Sequence, residues 1–473
     1  MRMMLLSFSV FVCVGSLTAF GVETEPAQNS PAKIPAKPNI VILLADDMGW
    51  GELGCYGQEV IKTPNLDTLA SKGLRFTDFY AGCAVCSPSR AVLMTGIPVG
   101  RLSIRGNKGL HEDGKWDRIA LKKSEVTVPE MLNGAGYQTA FIGKWHLGIP
   151  QDVSTWATGR GFDFAVQEQW GPKADGGVFD ERDHWVNGCQ ESVFHDYTKI
   201  DCLDEFRTDI ALKFLDQKRD QEKPLFLFMS YRSPHAHEFF LREKDRYKEH
   251  GWPEIERRHA SRITMLDEQI QRLLDKLEAM GEMDNTFVLF TSDNGPHAEG
   301  PAGGDKHDPL FFISSNGLKG HKRDLYEGGV RVPGIAYWKG KIRAGETSEH
   351  QAIFYDVMPT LAEIAGVDPP DQTGGISFLP ELIGKEQKTH DHLYWEIMEG
   401  RAAKAFRQAT RMGHWKAVRY GAAGVTELYN LETDLYETKD VAASYPEIVE
   451  KMNKILRSES KKDPHFPYSG DGP

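Results

Sequence analysis

Four short apolar runs constrain the fold most: residues 39–45 (NIVILLA), 137–142 (YQTAFI), 224–230 (PLFLFMS) and 286–291 (TFVLFT). Each is too short for a typical helix and is rich in branched or aromatic side chains, the pattern of a strand buried on both faces. Helical patterns lie between and around them. Residues 63–73 place Leu66, Leu69 and Ala70 on one face and end at Gly73. Residues 127–134 carry Pro129 near their start, and 204–218 and 258–280 are amphipathic. Strands alternating with helices predict an α/β fold: a large mixed, mostly parallel sheet sandwiched by helices. The texture changes toward the C-terminus. Residues 415–419 and 427–431 read as short strands of a meander, and 445–456 as a closing helix. A smaller C-terminal α+β subdomain, an antiparallel sheet plus a helix, is therefore expected over 376–473, with the main domain over 38–375.

The first residues have a different character. Arg2 precedes a nearly continuous apolar stretch over 3–14, and 16–21 is a small-residue region. This is the layout of a signal peptide over 1–21, followed by a Pro-, Ala- and Glu-rich linker over 22–37. The apolar stretch is too short to span a bilayer comfortably, and no later segment is apolar enough, so no stable membrane insertion is expected. The expected location is periplasmic or extracellular. Removing the leader removes Cys13 and leaves an odd set: Cys55, Cys83, Cys86, Cys189 and Cys202. Cys189 and Cys202 lie in one polar insertion and are able to pair. A formal net charge of -12 argues against nucleic acid as a partner. It does not argue against an anionic substrate, because the charge of a site can oppose that of the whole chain.

In parallel sheets, reactive residues gather in loops beyond the C-terminal strand ends. The polar motifs of this chain follow that placement. Asp46-Asp47 follows the first run, Lys144 and His146 the second, His235 the third and Asp293-Asn294 the fourth. Adjacent carboxylates repel unless a cation sits between them. Asp46, Asp47, Asp293 and Asn294 form a hard all-oxygen set suited to Ca²⁺ or Mg²⁺ rather than zinc. Taken alone, each pair also suits a turn or a helix cap.

Between the first two runs lies Cys86-Ser87-Pro88-Ser89-Arg90, continuing to Thr95-Gly96. Ser87 suits an N-cap, Pro88 the first helical position and Gly96 the end of the helix. Cys86 is thereby expected just outside a helix N-terminus, where free N–H groups and the helix dipole favour an anion. Arg90, four residues on, leans back toward the same opening.

Cys86-x-Pro88-x-Arg90 with Thr95-Gly96 closely resembles the signature of the type I, formylglycine-dependent sulfatases of the alkaline phosphatase superfamily. The chain is similar to arylsulfatases and N-acetylgalactosamine-6-sulfatases. The resemblance implies that a formylglycine-generating maturation enzyme oxidises Cys86 to the catalytic aldehyde. It implies calcium at Asp46, Asp47, Asp293 and Asn294, with the side chain at 86 completing the shell. Lys144, in Gly143-Lys144-Trp145-His146, matches a sulfate-gripping lysine, and His146 a residue that orients the hydrated aldehyde. His235, in Ser233-Pro234-His235, matches the family's histidine, although this chain carries His237 where the family commonly has proline. Lys322 matches a further sulfate-binding lysine, with Lys319 and His321 close by in the same stretch. Arg90, Lys144 and Lys322 would then offset charge on the sulfuryl oxygens. His235 would protonate the leaving alcohol, with Lys322 a second possibility. Either Asp47 or Asp46 would act as base.

The implied reaction is hydrolysis of sulfate esters, on a sulfated small molecule or glycan. Trp170 and Trp185 are candidates for stacking on sugar faces. Two other readings are a phosphonate or phosphate diester hydrolase of the same superfamily and a catalytically silent carbohydrate-binding relative.

Overall fold

The computed structural model describes residues 37–168, 183–188, 191–196, 199–200, 202–235, 244–300 and 304–470. The leader and nearly all of the linker, together with Trp170, Cys189 and His237, lie outside the described residues. Residues 37–473 group as one compact unit.

The main sheet contains, in chain order, β1 (Asn39–Asp46), β2 (Leu74–Phe76), β3 (Gln138–Gly143), β4 (Phe164–Glu168), β5 (Asp183–Val186), β6 (Glu191–Phe194), β7 (Leu225–Pro234), β8 (Thr286–Ser292), β9 (Gly334–Trp338) and β10 (Glu346–Ser348). Across the sheet the order is β10-β2-β9-β8-β1-β7-β3-β4-β5-β6. The central block β8-β1-β7-β3-β4 is parallel. Antiparallel pairs flank it on both sides, β9 with β8 and β5 with β4. The four apolar runs are β1, β3, β7 and β8, side by side at the centre, as their two-sided burial requires.

Alternation along these strands feeds two cores. Ile40, Ile42 and Leu44, with Phe226, Phe228, Phe287 and Leu289, face one side. Val41, Leu43 and Ala45, with Leu227, Met229, Val288 and Phe290, face the other. Helices α1 (Pro64–Lys72), α4 (Leu203–Gln217) and α5 (Glu254–Ala279) cover the second face with Leu66, Phe214, Ile263, Ile270 and Leu273. Helices α2 (Cys86–Thr95), α3 (Val128–Gly134) and α6 (Val357–Ala365) cover the first with Val92, Leu132 and Leu361. Helix α3 begins with a full capping box between Thr127 and Glu130. Gly73 ends α1 in a non-left-handed conformation, and a Cβ there would lie 2.2 Å from the Ala336 carbonyl oxygen, so close packing requires the glycine. No helix among the described residues is long and apolar enough to cross a membrane.

A separate antiparallel sheet follows, ordered β11 (Leu393–Met398), β12 (Phe406–Met412), β13 (Trp415–Tyr420) and β14 (Thr426–Asn430), with the closing helix α7 (Pro446–Glu459) against it. Leu393, Trp395, Ile397, Ala409 and Val418 of this sheet join the first core, while Ala417 and Leu428 pack with Met452 of α7 in a small separate cluster.

Candidate active site

The C-terminal ends of β1, β7, β8 and β3 open at one edge of the sheet. Ala45 pairs with Ser292 on the neighbouring parallel strand, so Asp46-Asp47 and Asp293-Asn294 leave the sheet side by side. The chain turns sharply at Asp47, whose φ is 67°. Its N–H donates to Asp293 Oδ1 at 3.0 Å, and the Met48 N–H to Ser292 Oγ at 2.8 Å, which fixes the turn. A left-handed backbone at a residue other than glycine costs free energy that the surrounding hydrogen bonds must offset. At the end of β3, Gly143 has φ 120°, and a Cβ there would stand 1.8 Å from the Ser230 carbonyl oxygen. Only glycine fits, and its turn sends Lys144 toward β1. His146 also has a left-handed backbone, with φ 60°. Lys144 and His146 line the same cavity.

Cys86 is the first residue of α2, one position further in than the sequence suggests. Val85 holds the cap position and makes no side-chain cap bond. Ser87 is drawn elsewhere: its hydroxyl donates to the His146 carbonyl at 2.9 Å, and its N–H donates to Asn107 Oδ1 at 3.1 Å. Gly96 ends the helix in the left-handed region as expected. Cys86 Sγ lies 3.6 Å from Asp46 Oδ1 and 3.9 Å from Asp47 Oδ1.

Arg90 does not reach the opening. Its guanidinium donates to Asp293 Oδ2 at 2.8 Å, the Lys144 carbonyl at 2.9 Å and Ser230 Oγ at 2.6 Å, and lies 3.4 Å from Asp46 Oδ1. It sits behind the carboxylates and ties four strand ends together. Its place along the helix agrees with the sequence, but buried carboxylates attract the group more strongly than the cavity does.

The cavity measures about 460 Å³, and Cys86, Lys144, His146, His235 and Lys322 all line it. Lys144 Nζ donates to both oxygens of Asp46, at 2.8 and 2.6 Å. Lys322 Nζ donates to Asp47 Oδ2 at 2.7 Å and to Glu299 Oε2 at 3.1 Å. His235 Nε2 lies 3.6 Å from Asp47 Oδ2. Lys319 points away, donating to the Tyr429 hydroxyl at 3.0 Å with its ammonium 3.9 Å from the Tyr326 ring centroid. Of the three neighbours Lys319, His321 and Lys322, only Lys322 lines the cavity. Trp185 stacks on Trp156 with centroids 3.8 Å apart, so one of its faces is already covered.

Sequence reasoning missed several charged groups. Arg232, three residues before His235, lies 3.9 Å from Asp46 Oδ2 and 2.5 Å from Glu168 Oε1. Glu299 holds Lys322 and Arg323. Neither lies in an order or spacing that marks it, and only the three-dimensional packing reveals them.

The charges are interdependent. Burial pushes Asp46 up, but Lys144, Arg90, Arg232 and Lys322 outweigh it and hold the carboxyl far below its usual range. Burial raises Asp47, and the repulsion of Asp46 adds to this against the pull of Lys322. Burial pushes Asp293 up to about 6 despite Arg90. Burial lifts the Cys86 thiol above its usual value although Lys144 and Lys322 pull the other way, so the unmodified side chain is a neutral thiol. Burial, followed by Arg118, Lys144 and Arg90, holds the His146 imidazole neutral.

One ligand atom from each of Asp46, Asp47, Cys86 and Asp293 lies within 4.8 Å of the others. The three carboxylates and Asn294 are fully buried, and Asn294 Oδ1 has no hydrogen-bond partner. A buried amide oxygen without a donor, beside three converging carboxylates, fits a hard divalent cation. A second buried set, Glu52, His259 and His307, does not suit shared ligation. His259 and His307 are stacked 3.6 Å apart and nearly parallel, at 11°, so their in-plane lone pairs do not converge on one ion. Each instead bonds a carboxylate, Glu52 at 2.5 Å and Glu256 at 2.6 Å.

A parallel sheet that gathers carboxylates, buried cations and a helix N-terminal cysteine at one edge defines an α/β enzyme built to handle an oxyanion. The family model described as Sulfatase matches residues 38–367, and one described as N-sulphoglucosamine sulphohydrolase, C-terminal, matches 319–462. The chain belongs to the sulfatase family and is a sulfuric ester hydrolase. It is 31% identical to N-acetylgalactosamine-6-sulfatase of Canis lupus familiaris over 77% of this chain and 69% of that protein. It is 29% identical to Arylsulfatase G of Rattus norvegicus over 89% of this chain and 86% of that one. The solved structure of Ps i-CgsB in complex with k-i-k-neocarrahexaose aligns with a TM-score of 0.77 at 26% identity, covering 91% of this chain and 95% of that one.

Proposed function

We propose that this chain, exported and matured, removes sulfate from a sulfated glycan through a formylglycine at position 86 and a bound calcium ion. The observation that carries the reading is the position of Cys86. Its Sγ stands within 4 Å of two carboxylates, at a cavity whose walls hold Lys144, His146, His235 and Lys322. Relatives named for N-acetylgalactosamine-6-sulfatase activity and a structure solved with k-i-k-neocarrahexaose support a glycan substrate.

Position 86 would react as the hydrated aldehyde. One hydroxyl attacks sulfur as the bond from sulfur to the leaving alcohol oxygen breaks, and the sulfuryl group passes to the side chain. Asp47 takes the attacking hydroxyl's proton, since Asp46 is committed to Lys144 through both oxygens. His235 gives a proton to the departing alcohol. Lys144 and Lys322 hold the non-bridging oxygens, and Arg90 acts from behind by positioning Asp46 and Asp293. The second hydroxyl then loses its proton with the help of His146, sulfate leaves, and the aldehyde is restored. Serine or unmodified cysteine has no second hydroxyl and would stop at the ester. Asp46, Asp47, Asp293 and the Asn294 amide oxygen would hold the calcium ion, which supplies positive charge beside the sulfuryl oxygens.

The test is a panel of defined sulfated saccharides with matched aryl sulfate and aryl phosphate esters, scored by released sulfate or phosphate. Turnover of sulfated saccharides above the aryl phosphate is expected. Preference for the phosphate ester would overturn the reading.

A further inference from the structure

Residues 296–299 follow the Asp293-Asn294 pair and hold two separate parts of the cavity wall. The Lys322 N–H donates to the Pro296 carbonyl at 2.9 Å. Glu299 Oε2 accepts from Lys322 Nζ at 3.1 Å, and its other carboxylate oxygen pairs with Arg323. Between Pro296 and Glu299 stands His297, which is 1% exposed, behind the wall to which Ala298 and Glu299 contribute.

The two ring nitrogens of His297 have different partners. Nδ1 lies 3.1 Å from the Glu299 amide nitrogen, and a backbone N–H can only donate, so Nδ1 carries the lone pair. Nε2 then carries the proton and donates to the Pro234 carbonyl at 3.0 Å. Pro234 directly precedes His235, whose own N–H closes the turn onto the Arg232 carbonyl at 2.9 Å. One imidazole thus ties the turn that presents His235 to the segment that anchors Lys322. The ring is itself held in place. His259 and His307 pack against it with centroids 5.4 and 5.1 Å away, and Glu52 and Glu256 fix those two in turn. Burial keeps His297 neutral, and Lys322 acts in the same direction, which preserves one donor and one acceptor on the ring.

Asp47 Oδ2 also lies between the two cavity groups, 3.6 Å from His235 Nε2 and 2.7 Å from Lys322 Nζ. On the proposed reaction Asp47 gains a proton during turnover, so its grip on both weakens when they are needed. The bonds of His297 do not change with that proton. We propose that His297 is a positioning residue: it sets the spacing between His235, which protonates the leaving alcohol, and Lys322, which holds the sulfuryl oxygens. This rests on the proposed sulfatase reaction. A misplacement of about 1 Å can cost about a hundredfold in rate, so a residue behind the wall can govern both groups.

Two variants separate the two bonds. In His297→Asn the amide oxygen replaces Nδ1 and accepts the Glu299 N–H, while the bond to Pro234 is lost. In His297→Gln the amide nitrogen replaces Nε2 and donates to the Pro234 carbonyl, while the bond to Glu299 is lost. kcat/KM is measured on the matured, calcium-loaded enzyme with para-nitrophenyl sulfate, whose alcohol leaves readily without a proton, and with phenyl sulfate, whose alcohol needs one. The ratio of the two should rise about tenfold or more in His297→Asn and stay within about threefold of wild type in His297→Gln. Both esters are measured on one preparation, so any misfolded fraction cancels. Calorimetric titration with inorganic sulfate reads the Lys322 side without turnover. Its affinity should fall about tenfold in His297→Gln and stay within about threefold of wild type in His297→Asn. A merely structural residue would lower total activity and stability without separating the variants, so failure of either separation would overturn the proposal. If the wild type turns over neither ester, the sulfatase reading fails and the titration alone decides: separation of the variants supports the anchoring of Lys322 through His297, and equal affinities overturn it.

Discussion

Lys322→Ala tests whether the buried lysine serves the reaction or only the fold. Its ammonium lies 2.7 Å from Asp47 Oδ2 and 3.1 Å from Glu299 Oε2, and the residue is 3% exposed. A preorganised donor facing developing charge typically contributes about 10²- to 10³-fold in rate. The truncation should therefore lower kcat/KM by about a hundredfold, roughly 2.7 kcal/mol. Stability should fall as well, because breaking a buried pair costs about 3–5 kcal/mol when the remaining charge is uncompensated. Lys144, Arg90 and the proposed calcium ion would keep part of that compensation for the carboxylate cluster, so the loss in melting temperature should be larger in chelator than in calcium. Lys144→Ala should behave in the same way, since Lys144 is similarly buried and bonds Asp46 through both oxygens.

Lys319→Ala is the informative comparison. Lys319 binds the Tyr429 hydroxyl and lies over the Tyr326 ring, linking the main domain to the C-terminal sheet. Losing a cation–π contact and a hydrogen bond costs about 1–2 kcal/mol of stability, and kcat/KM per folded molecule should stay within about threefold. Initial rates of sulfate release and thermal melts on the same preparations read both quantities. If Lys319→Ala destroys activity in a folded protein while Lys322→Ala retains it, the cavity cation has been assigned to the wrong residue.

In active enzyme, mass spectrometry and hydrazide labelling should find an aldehyde on the peptide containing position 86; activity in a preparation holding only thiol there would refute the mechanism, and Cys86→Ser should be folded but inactive. Chelation should lower both activity and melting temperature and calcium should restore both, whereas full activity in demetallated protein, checked by elemental analysis, would eliminate the proposed ion. A third test lies away from the cavity, at Glu327. Burial raises its pKa, but Lys416, Arg411 and Arg331 outweigh burial and lower it from 4.5 to about 2. A depressed folded-state pKa gives stability that is present above about 4.5 and lost as pH falls toward 2. Glu327→Gln should thus melt well below wild type at pH 7, and the gap should narrow between about pH 5 and 2; a gap independent of pH would refute the ion-pair account.

The central fold was legible because β1, β3, β7 and β8 are buried on both faces, which forces apolar residues into short runs. Strand β12 was not legible: its buried positions include Gln408, Thr410 and Arg411, so no apolar pattern marks it. Strand β11 is apolar except for Glu396, and that buried charge interrupts an otherwise readable run. These groups are satisfied across the fold instead: Glu396 by Arg105 at 2.9 Å, Gln408 by the Tyr394 hydroxyl at 2.7 Å and Arg411 by Asp78 at 2.9 Å. The two ion pairs span hundreds of positions in the chain, and sequence spacing cannot report them. The same limit explains Arg90. Helical spacing located it correctly along α2, but its direction is set by Asp293, 203 residues away.

The site also resolves how a chain of net charge -12 can present a cationic cavity. The carboxylates are not absent but placed behind the wall: Asp46, Asp47 and Asp293 are fully buried, and each holds a cation. Lysine side chains normally lose up to about 2 kcal/mol of rotamer freedom when fixed. Here Asp46 and Asp47 fix Lys144 and Lys322 during folding, before any ester arrives. On the proposed reaction, a sulfate ester meets charges already oriented, and little of its binding energy is consumed in ordering them. The buried pairs therefore suit the sulfate group common to every substrate of that reaction.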